Sequence, residues 1–455
     1  MQSINKNSFN EKFKGKSISV IGIGISNTPI INMLSKTSAT IIARDKKELS
    51  LLNKETVTLL NSLNVKLICG EDYLKDIKED YVIKTPAMRF DTKELLNARK
   101  NGSIITSEME LFFELCPAKI FGVTGSDGKT TTTTLISNFL EKEGYNCYLG
   151  GNIGTPLLPL INQINKEDFV IVELSSFQLH TMKMSPSVAV ITNLSPNHLD
   201  VHKSYEEYIE AKENIYKYQH SNDTVILNYD NDVTRSFIDK AKSNVLCFSR
   251  KTKVSGAYLE GDNIYFNDEL IMNKNDIKLK GDHNIENYMA AICAVHQYVS
   301  TKTIKFIAQT FGGVSHRLEF VREKDNISFY NSSIDSSPSR TIAALSTFNE
   351  KIILIAGGKD KGISYDSIGD YICDKVKILL LIGPTAKAIE KSVLNSSKEK
   401  PKIIFCNSYE EIVKTAFSNA ISGDNILLSP ASTSFDMFSN FEERGNTFKK
   451  IVNSL

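Results

Sequence analysis

Short apolar runs bounded by polar turns recur along the chain, and between them lie stretches whose apolar residues return every three or four positions. That alternation is the mark of strand–helix units feeding a mostly parallel sheet. From Ser17, SISVIGIGISNTPIINMLSK predicts an apolar strand, a Gly22-x-Gly24 turn and an amphipathic helix, with TIIARD as the next strand and DYVIKTPAM and DTKELLNARKNG continuing the rhythm. SIITSEMELFFEL then leads into a second set, with strands in IFGVTG, DFVIVEL, SVAVITNL and TVILNYD. VSGAYLEGDNIYFNDELIMN departs from this rhythm and alternates as a small β-hairpin would. GDHNIENYMAAICAVHQYV returns to helix, starting near His283, and from Val314 a third set runs through NISFYNSS, KIILIAGG, KILLLIG, KIIFC and NILLSPA to a final helix. The expectation is an α/β chain of three domains, 1–105, 106–313 and 314–455.

The stretch Ile120 to Leu135, IFGVTGSDGKTTTTTL, joins a buried strand to a helix through a glycine-rich turn. Gly125 and Gly128 let the backbone turn tightly and aim N–H groups inward, across Ser126 and Asp127. Lys129 adds a mobile positive charge, Thr130 a hydroxyl suited to Mg²⁺, and Thr131 continues the helix start, whose positive end faces the loop. Five residues rather than four separate Gly122 from Gly128, so the fit is to T-G-x-x-G-K-T. A nucleoside triphosphate, ATP, is expected here, and the middle domain is expected to be a P-loop-type ATPase domain. A Gly/Thr-rich surface turn is the alternative, which the flanking strand and helix disfavour.

Composition narrows the class. A net charge of +1 over 455 residues sets up no global field for nucleic acid or an anionic membrane. The apolar runs, such as ILLLI near Leu380, are far below the about 20 residues of a membrane span. The N-terminal MQSINKNSFNEKFKGK is polar and has no apolar export core. A soluble cytoplasmic protein is expected, with no nucleic-acid partner and no membrane insertion. The seven cysteines are scattered singly, without metal-ligand spacing, and read as thiols of a reducing compartment.

Several other residues sit where chemistry is done. Glu173 ends the apolar run DFVIVE, at the strand terminus where parallel sheets bind ligands, and is a natural second contact for the Mg²⁺ held by Thr130; capping the next helix is its plainer role. Gly-Gly-Asn-Ile-Gly could present Asn152 to a ligand. His198 lies just past the strand in SVAVITNL. Ser204 caps a helix on which Tyr205, Tyr208, Ile209, Lys212 and Ile215 or Tyr216 share a face. A lysine on an apolar stripe needs a partner, a lowered pKa or a chemical modification, unless it snorkels to solvent. Asn284 and Asn287 suit a purine edge or a helix cap equally. In the first domain a third glycine of the dinucleotide fingerprint is replaced by Asn27, although Asp45 stands at a plausible distance for a ribose. A nucleotide other than a dinucleotide, or a structural turn, is favoured there.

In combination, VTGSDGKTTTT, GGNIGTPL, ELSSFQL, NHLDVHKSYEEYIEAK, GDHNIEN, HRLE and SPASTSFDMFSNFEERG, in that order, resemble the bacterial Mur ligases nearly end to end. The Asn-Phe-Glu-Glu-Arg-Gly ending and the Ser-Ser-Phe-Gln run are most similar to the D-glutamate-adding branch. The resemblance implies a Rossmann-like first domain for a uridine-diphosphate sugar, a central ATP-binding domain and a Rossmann-like C-terminal domain for the amino acid. It implies an ATP-dependent ligase that joins D-glutamate to UDP-N-acetylmuramoyl-L-alanine through an acyl phosphate, with a sibling adding another amino acid as the alternative, and a monomer that closes its last domain over the central one. A binding module using ATP as a switch, or a plain NTPase, is the competing class.

The resemblance also implies roles. Lys212 matches a carbamoylated lysine, formed from CO₂, that helps place a second Mg²⁺ with His198; Glu173 and Thr130 match the site of the first. Asn284, Asn287 and Arg317 match the nucleotide side. Gly24, Ile25, Ser26, Asn27, Asp45 and Thr85 resemble the uridine-diphosphate pocket, and Asn152, Ser175 and Gln178 the muramoyl-alanine end. Ser336, Lys361, Ser434 and Phe441 match the grip on D-glutamate. One segment departs: Asn331-Ser-Ser-Ile-Asp-Ser-Ser337 stands for Asn-Asp-Ser-Lys-Ala-Thr-Asn, so Ser332 replaces an acid and Ile334 a lysine, with Asp335 or Arg340 expected to take over part of their roles.

Overall fold

The structure is a computed structural model and describes residues 8–24, 27–86, 88–196, 202–279, 281–360 and 362–455. Two compact units divide it, Met1–Thr310 and Phe311–Leu455. The expected break at 105 falls inside the first unit, within the last strand of its first sheet.

The first sheet is parallel, with strands β1 (Ser17–Ile21), β2 (Thr40–Asp45), β3 (Lys66–Cys69), β4 (Tyr81–Lys84) and β5 (Ile104–Thr106) in the order β3-β2-β1-β4-β5. Chain order reverses beside β1, which makes the β1/β4 edge the crevice where such sheets take ligands. Arg44 is buried on β2 because its guanidinium is fully used: it donates to Ser19 Oγ, to the carbonyls of Tyr73 and Lys75, and to Glu79 at 3.0 Å.

The second sheet has nine strands: β6 (Lys119–Thr124), β7 (Cys147–Gly151), β8 (Phe169–Glu173), β9 (Val188–Ile191), β10 (Thr224–Asn228), β11 (Asn244–Ser249), β12 (Gly256–Glu260), β13 (Asn263–Phe266) and β14 (Glu269–Asn273), in the order β14-β13-β12-β11-β10-β9-β6-β8-β7. β6, β8 and β9 form its buried centre, which is why they read as unbroken apolar runs. The expected hairpin is β12–β14, an antiparallel extension at one edge. Helices Lys129–Glu143 and Asp282–Val295 pack together over this sheet.

The second unit holds β15 (Glu319–Lys324), β16 (Ile327–Asn331), β17 (Ile352–Ala356), β18 (Val376–Leu381), β19 (Lys402–Phe405) and β20 (Asn425–Leu428), in the order β15-β16-β20-β17-β18-β19. β15 escapes the sequence pattern because EFVREK is a half-buried antiparallel edge strand with no clean alternation. Arg444, buried on the last helix Phe441–Ser454, donates to Ser333 Oγ, the Ser333 carbonyl and the Ser432 carbonyl, fastening the turns after β16 and β20 to each other. All seven cysteines are free thiols, and Cys247, Cys293, Cys373 and Cys406 are buried. Among the described residues no helix is long and apolar enough to cross a membrane.

Candidate active site

β6 ends at Thr124, and the loop Gly125 to Gly128 delivers the chain into helix Lys129–Glu143. Gly128 has φ +76°, and a Cβ there would lie 2.3 Å from Asn287 Oδ1. At Gly125 (φ +150°) a Cβ would overlap Thr192 Oγ1. Side chains lean on the loop from outside: Asn193 Oδ1 accepts from the Asp127 N–H at 3.0 Å, Thr192 Oγ1 donates to the Asp127 carbonyl, and Ser126 Oγ lies 3.0 Å from Tyr208 OH. Lys129 Nζ folds back onto the carbonyls of Gly125 (2.9 Å) and Ser126 (2.8 Å). Asn193 thus holds the N–H groups of Ser126 and Asp127, and the loop opens onto a helix N-terminus with a cation beside it, the geometry of a polyphosphate site.

Glu173, at the end of β8, is 1% exposed and accepts from Thr130 Oγ1 at 2.6 Å and from Asn152 Nδ2 at 2.7 Å. A carboxylate and a hydroxyl at the edge of a phosphate cradle are hard oxygen donors, which suits Mg²⁺. Asn152, expected beside the acceptor, is thus placed on Glu173.

Helix Tyr205–Lys217 starts as the sequence predicts: Ser204 Oγ accepts from the Glu207 N–H, and Tyr208, Lys212, Ile215 and Tyr216 are buried on one face. Lys212 does not snorkel. It is 2% exposed, and its Nζ donates to Thr124 Oγ1 at 2.9 Å and to the Gly125 carbonyl at 3.0 Å, both uncharged. Burial holds this amine well below its ordinary range, the charge of Lys129 adds to the effect, and Glu173 opposes it. Lys129, Glu173 and Lys212 therefore surround one phosphate loop. His198 lies outside the described residues, and among those described no group of three His, Cys, Asp or Glu side chains forms a metal cluster.

Asp127, Gly128, Thr192, Asn193, Phe248, His283, Glu286 and Asn287 line a cleft beside the loop. Asn287 reaches both ways, accepting from Thr132 Oγ1 at 3.3 Å and donating to Asn284 Oδ1 at 3.2 Å. Ser175 and Gln178 form a reciprocal capping box on the short helix Ser176–Leu179. In the first sheet, Asp45 turns its carboxylate onto its own loop, accepting from the N–H groups of Ile23 (2.7 Å) and Lys47 (2.9 Å), and Asn27 Nδ2 donates to the carbonyls of Ile21 and Gly22. Both residues brace the Gly22 turn, which packs on Thr85. Gly24 continues that turn; Ile25 and Ser26 lie outside the described residues.

An ion cluster that the sequence does not reveal adjoins this region. Arg89 donates to Asp91 at 2.8 Å and to Glu207 at 2.8 Å, and Lys203 pairs with Asp91 at 2.6 Å. His202 shares a hydrogen bond with Ser176 Oγ at 2.9 Å and stacks on Phe177.

Within the second unit, the Phe441 ring meets His316 edge-on, and the Phe441 carbonyl accepts from Ser333 Oγ at 2.8 Å. Ser434 is buried and Ser336 partly so. Asp335 accepts from Ser429 Oγ at 2.8 Å, and burial raises its carboxyl against the opposing pull of Arg340 and Arg317. Ser332 Oγ accepts from the Leu318 N–H at 3.2 Å, and its hydroxyl also hydrogen-bonds Asp335, opposing the rise of that carboxyl. Lys361 lies outside the described residues.

The chain is 53% identical over 460 residues to a UDP-N-acetylmuramoylalanine–D-glutamate ligase of Acetivibrio thermocellus, covering 99% of this chain and 98% of that one. The chain belongs to the Mur ligase family. A ligase of the same name from Clostridium acetobutylicum is 50% identical, covering 99% of this chain and 100% of that one. Models of the Mur ligase middle domain and of the Mur ligase, glutamate ligase domain match residues 123–295 and 316–432. Among solved structures, the UDP-N-acetylmuramate–alanine ligase of Thermotoga maritima superposes with a TM-score of 0.56 at 19% identity, covering 96% of this chain and 99% of that one. The MurF ligase of the same organism, solved with ADP, gives 0.52 at 19%, covering 99% and 97%. These two likenesses show the Mur ligase fold.

Proposed function

We propose that this chain joins D-glutamate to UDP-N-acetylmuramoyl-L-alanine at the expense of ATP, a step of peptidoglycan precursor synthesis. The observation that carries the reading is identity of about one half, end to end, with proteins bearing that name, in a chain whose phosphate loop, acid and buried lysine converge. A carboxylate resists attack by an amine. Transfer of the ATP γ-phosphoryl group to the alanine carboxylate, with ADP leaving, makes an acyl phosphate. The D-glutamate amine then bonds to the carbonyl carbon, loses its proton, and inorganic phosphate departs.

The chain's residues hold and neutralise anions in this scheme. Gly125 to Thr131, through the N–H groups at the helix start and the Lys129 ammonium, receive the triphosphate, and Asn284, Asn287 and Arg317 the nucleoside. Thr130 and Glu173 would hold one Mg²⁺; Lys212, carbamoylated by CO₂, with His198, would hold a second. The bound ions supply charge neutralisation between phosphate and carboxylate. The low basicity of the Lys212 amine supports the carbamate, because only a neutral amine adds to CO₂. Gly24 to Asn27, Asp45 and Thr85 are assigned to the uridine diphosphate, Asn152, Ser175 and Gln178 to the muramoyl-alanine, and Ser336, Lys361, Ser434 and Phe441 to the incoming amino acid.

The test is an amino-acid panel with ATP and UDP-N-acetylmuramoyl-L-alanine, following ADP and amide. ADP is expected only with the acceptor present, and amide with D-glutamate but not L-lysine, L-alanine or diaminopimelate. ADP release without acceptor would make the chain an NTPase, and another preferred amino acid would make it a sibling.

A further inference from the structure

Glu286 lies on helix Asp282–Val295 beside Asn287, whose Oδ1 is so close to Gly128 that a Cβ there would lie 2.3 Å away. That sets Glu286 next to the phosphate loop, and its side chain is fixed there. Oε1 accepts from Arg250 Nε at 2.7 Å, while Arg250 Nη1 donates to Asp282 at 2.8 Å. Arg250 is fixed in turn, because Asp230 accepts from its backbone N–H at 2.8 Å and from Ser249 Oγ at 2.6 Å. Arg250 thus takes one oxygen of the Glu286 carboxylate, and Oε2 is a second acceptor whose position the ion pair sets. A carboxylate held in this way can accept from a ligand with little further loss of side-chain freedom.

Asp127, Gly128, Phe248, His283, Glu286 and Asn287 line a cleft of about 90 Å³. A space of about 10–15 Å³ holds one water, so this cleft admits part of a flat ring system. Asp127 and Gly128 belong to the loop that receives phosphate. Phe248 and His283 add aromatic rings, and Glu286 adds a charge. A heterocyclic base suits that combination, with its ring against the aromatic groups and an exocyclic amine on the carboxylate. Asp127 carries the other carboxylate of the cleft, but it sits within the phosphate loop. Asn193 Oδ1 and Asn287 Oδ1 already accept, from the Asp127 N–H and from Thr132 Oγ1.

We propose that Glu286 selects the base of the triphosphate, accepting at Oε2 from the 6-amino group of adenine. The proposal rests on the ATP site proposed above and adds which residue tells adenine from other purines. Guanine would bring a carbonyl oxygen to the same place, where two acceptors repel.

The experiment titrates the full-length chain by calorimetry with ADP, GDP and purine-riboside diphosphate, which lacks the 6-amino group, and repeats the set with Glu286→Gln and Glu286→Ala. The parent chain is expected to bind ADP at least about tenfold more tightly than either of the other two. Glu286→Ala should bind ADP and purine-riboside diphosphate within about twofold of each other, because the partner of the amine has gone. Glu286→Gln has an amide that can accept from adenine or donate to guanine, so its preference for ADP over GDP should narrow by about tenfold. Melting temperatures recorded alongside separate a loss of fold from a loss of recognition. A parent chain indifferent to the 6-amino group would overturn the proposal without any variant. Variants that weaken all three ligands by one factor would make Glu286 a counter-ion of Arg250 and also overturn it. Either result leaves amide synthesis by the parent chain intact, whereas a parent chain that binds no ADP and makes no amide would remove the proposed function itself, and this inference with it.

Discussion

Thr130 Oγ1 donates to Glu173 Oε2 at 2.6 Å across 43 residues of sequence. The hydroxyl opens the helix after the phosphate loop, the carboxylate closes the neighbouring strand β8, and the parallel pairing of β6 with β8 sets one beside the other. Both oxygens face the place where a polyphosphate's charge must be balanced. Glu173→Gln keeps the shape and removes the charge. Acceptor-dependent ADP release is expected to fall by about 10²–10³-fold, and Thr130→Ser to stay near the parent rate; a Glu173→Gln enzyme of parent activity would dismiss the metal role.

Lys129→Ala removes the cation seated on the Gly125 and Ser126 carbonyls. ATP-dependent ligation should be lost, with ADP binding weakened, while UDP binding measured by calorimetry stays at the parent value. Equal loss of both ligands would point to a misfolded loop.

Gly128→Ala has two obstacles, a left-handed backbone at φ +76° and Asn287 Oδ1 at 2.3 Å from the new Cβ. Asn287 is tied to Thr132 and Asn284, so it cannot yield cheaply. Nucleotide affinity is expected to drop more than tenfold, with a destabilisation of about 1–3 kcal/mol. Parent-like affinity and melting would show the loop to be softer than its contacts imply.

Lys212 is buried beside uncharged oxygens, and its amine is neutral more readily than an ordinary lysine's. With ¹³C-bicarbonate, the parent chain should show a labelled carbamate signal by NMR that Lys212→Arg lacks, and activity should fall in CO₂-free buffer. Full activity of Lys212→Ala at low CO₂ would end the carbamate proposal.

Arg89 holds the Glu207 carboxyl down to about 2 and keeps Asp91 below the usual carboxylate range. Both acids are stronger in the folded chain, so their contribution is present above the unfolded carboxylate range of about 4 and is lost as pH falls toward 2. The groups are partly exposed, which keeps the effect small and salt-sensitive. Arg89→Met should melt below the parent at pH 7, and the gap should narrow on acidification or at high salt. Parallel melting curves across pH would exclude this linkage.

Much of the site is readable before folding because its information is local. The phosphate loop needs two glycines, a lysine and a threonine in one turn, and Glu173 is marked by ending an apolar run. Lys212 is marked by helical spacing from Tyr208 and Ile215, which only one buried face of a helix can satisfy. Asp45 is ambiguous for the same reason. Its spacing from the glycine turn suits a ribose, yet it also suits the turn's own N–H groups, and spacing alone cannot choose between them.

The order of apolar runs, turns and caps, together with the loop chemistry, determined the α/β class, the strand–helix units and the nucleotide site, since each depends on residues a few positions apart. Only tertiary structure decided that Asn152 serves Glu173, that Arg89 meets Glu207 across 118 residues, and that Lys212 donates to Thr124 and the Gly125 carbonyl across 87 residues and more. Those relations arise where separate sheets and helices pack, and whether a charge is matched depends on neighbours that no local pattern contains.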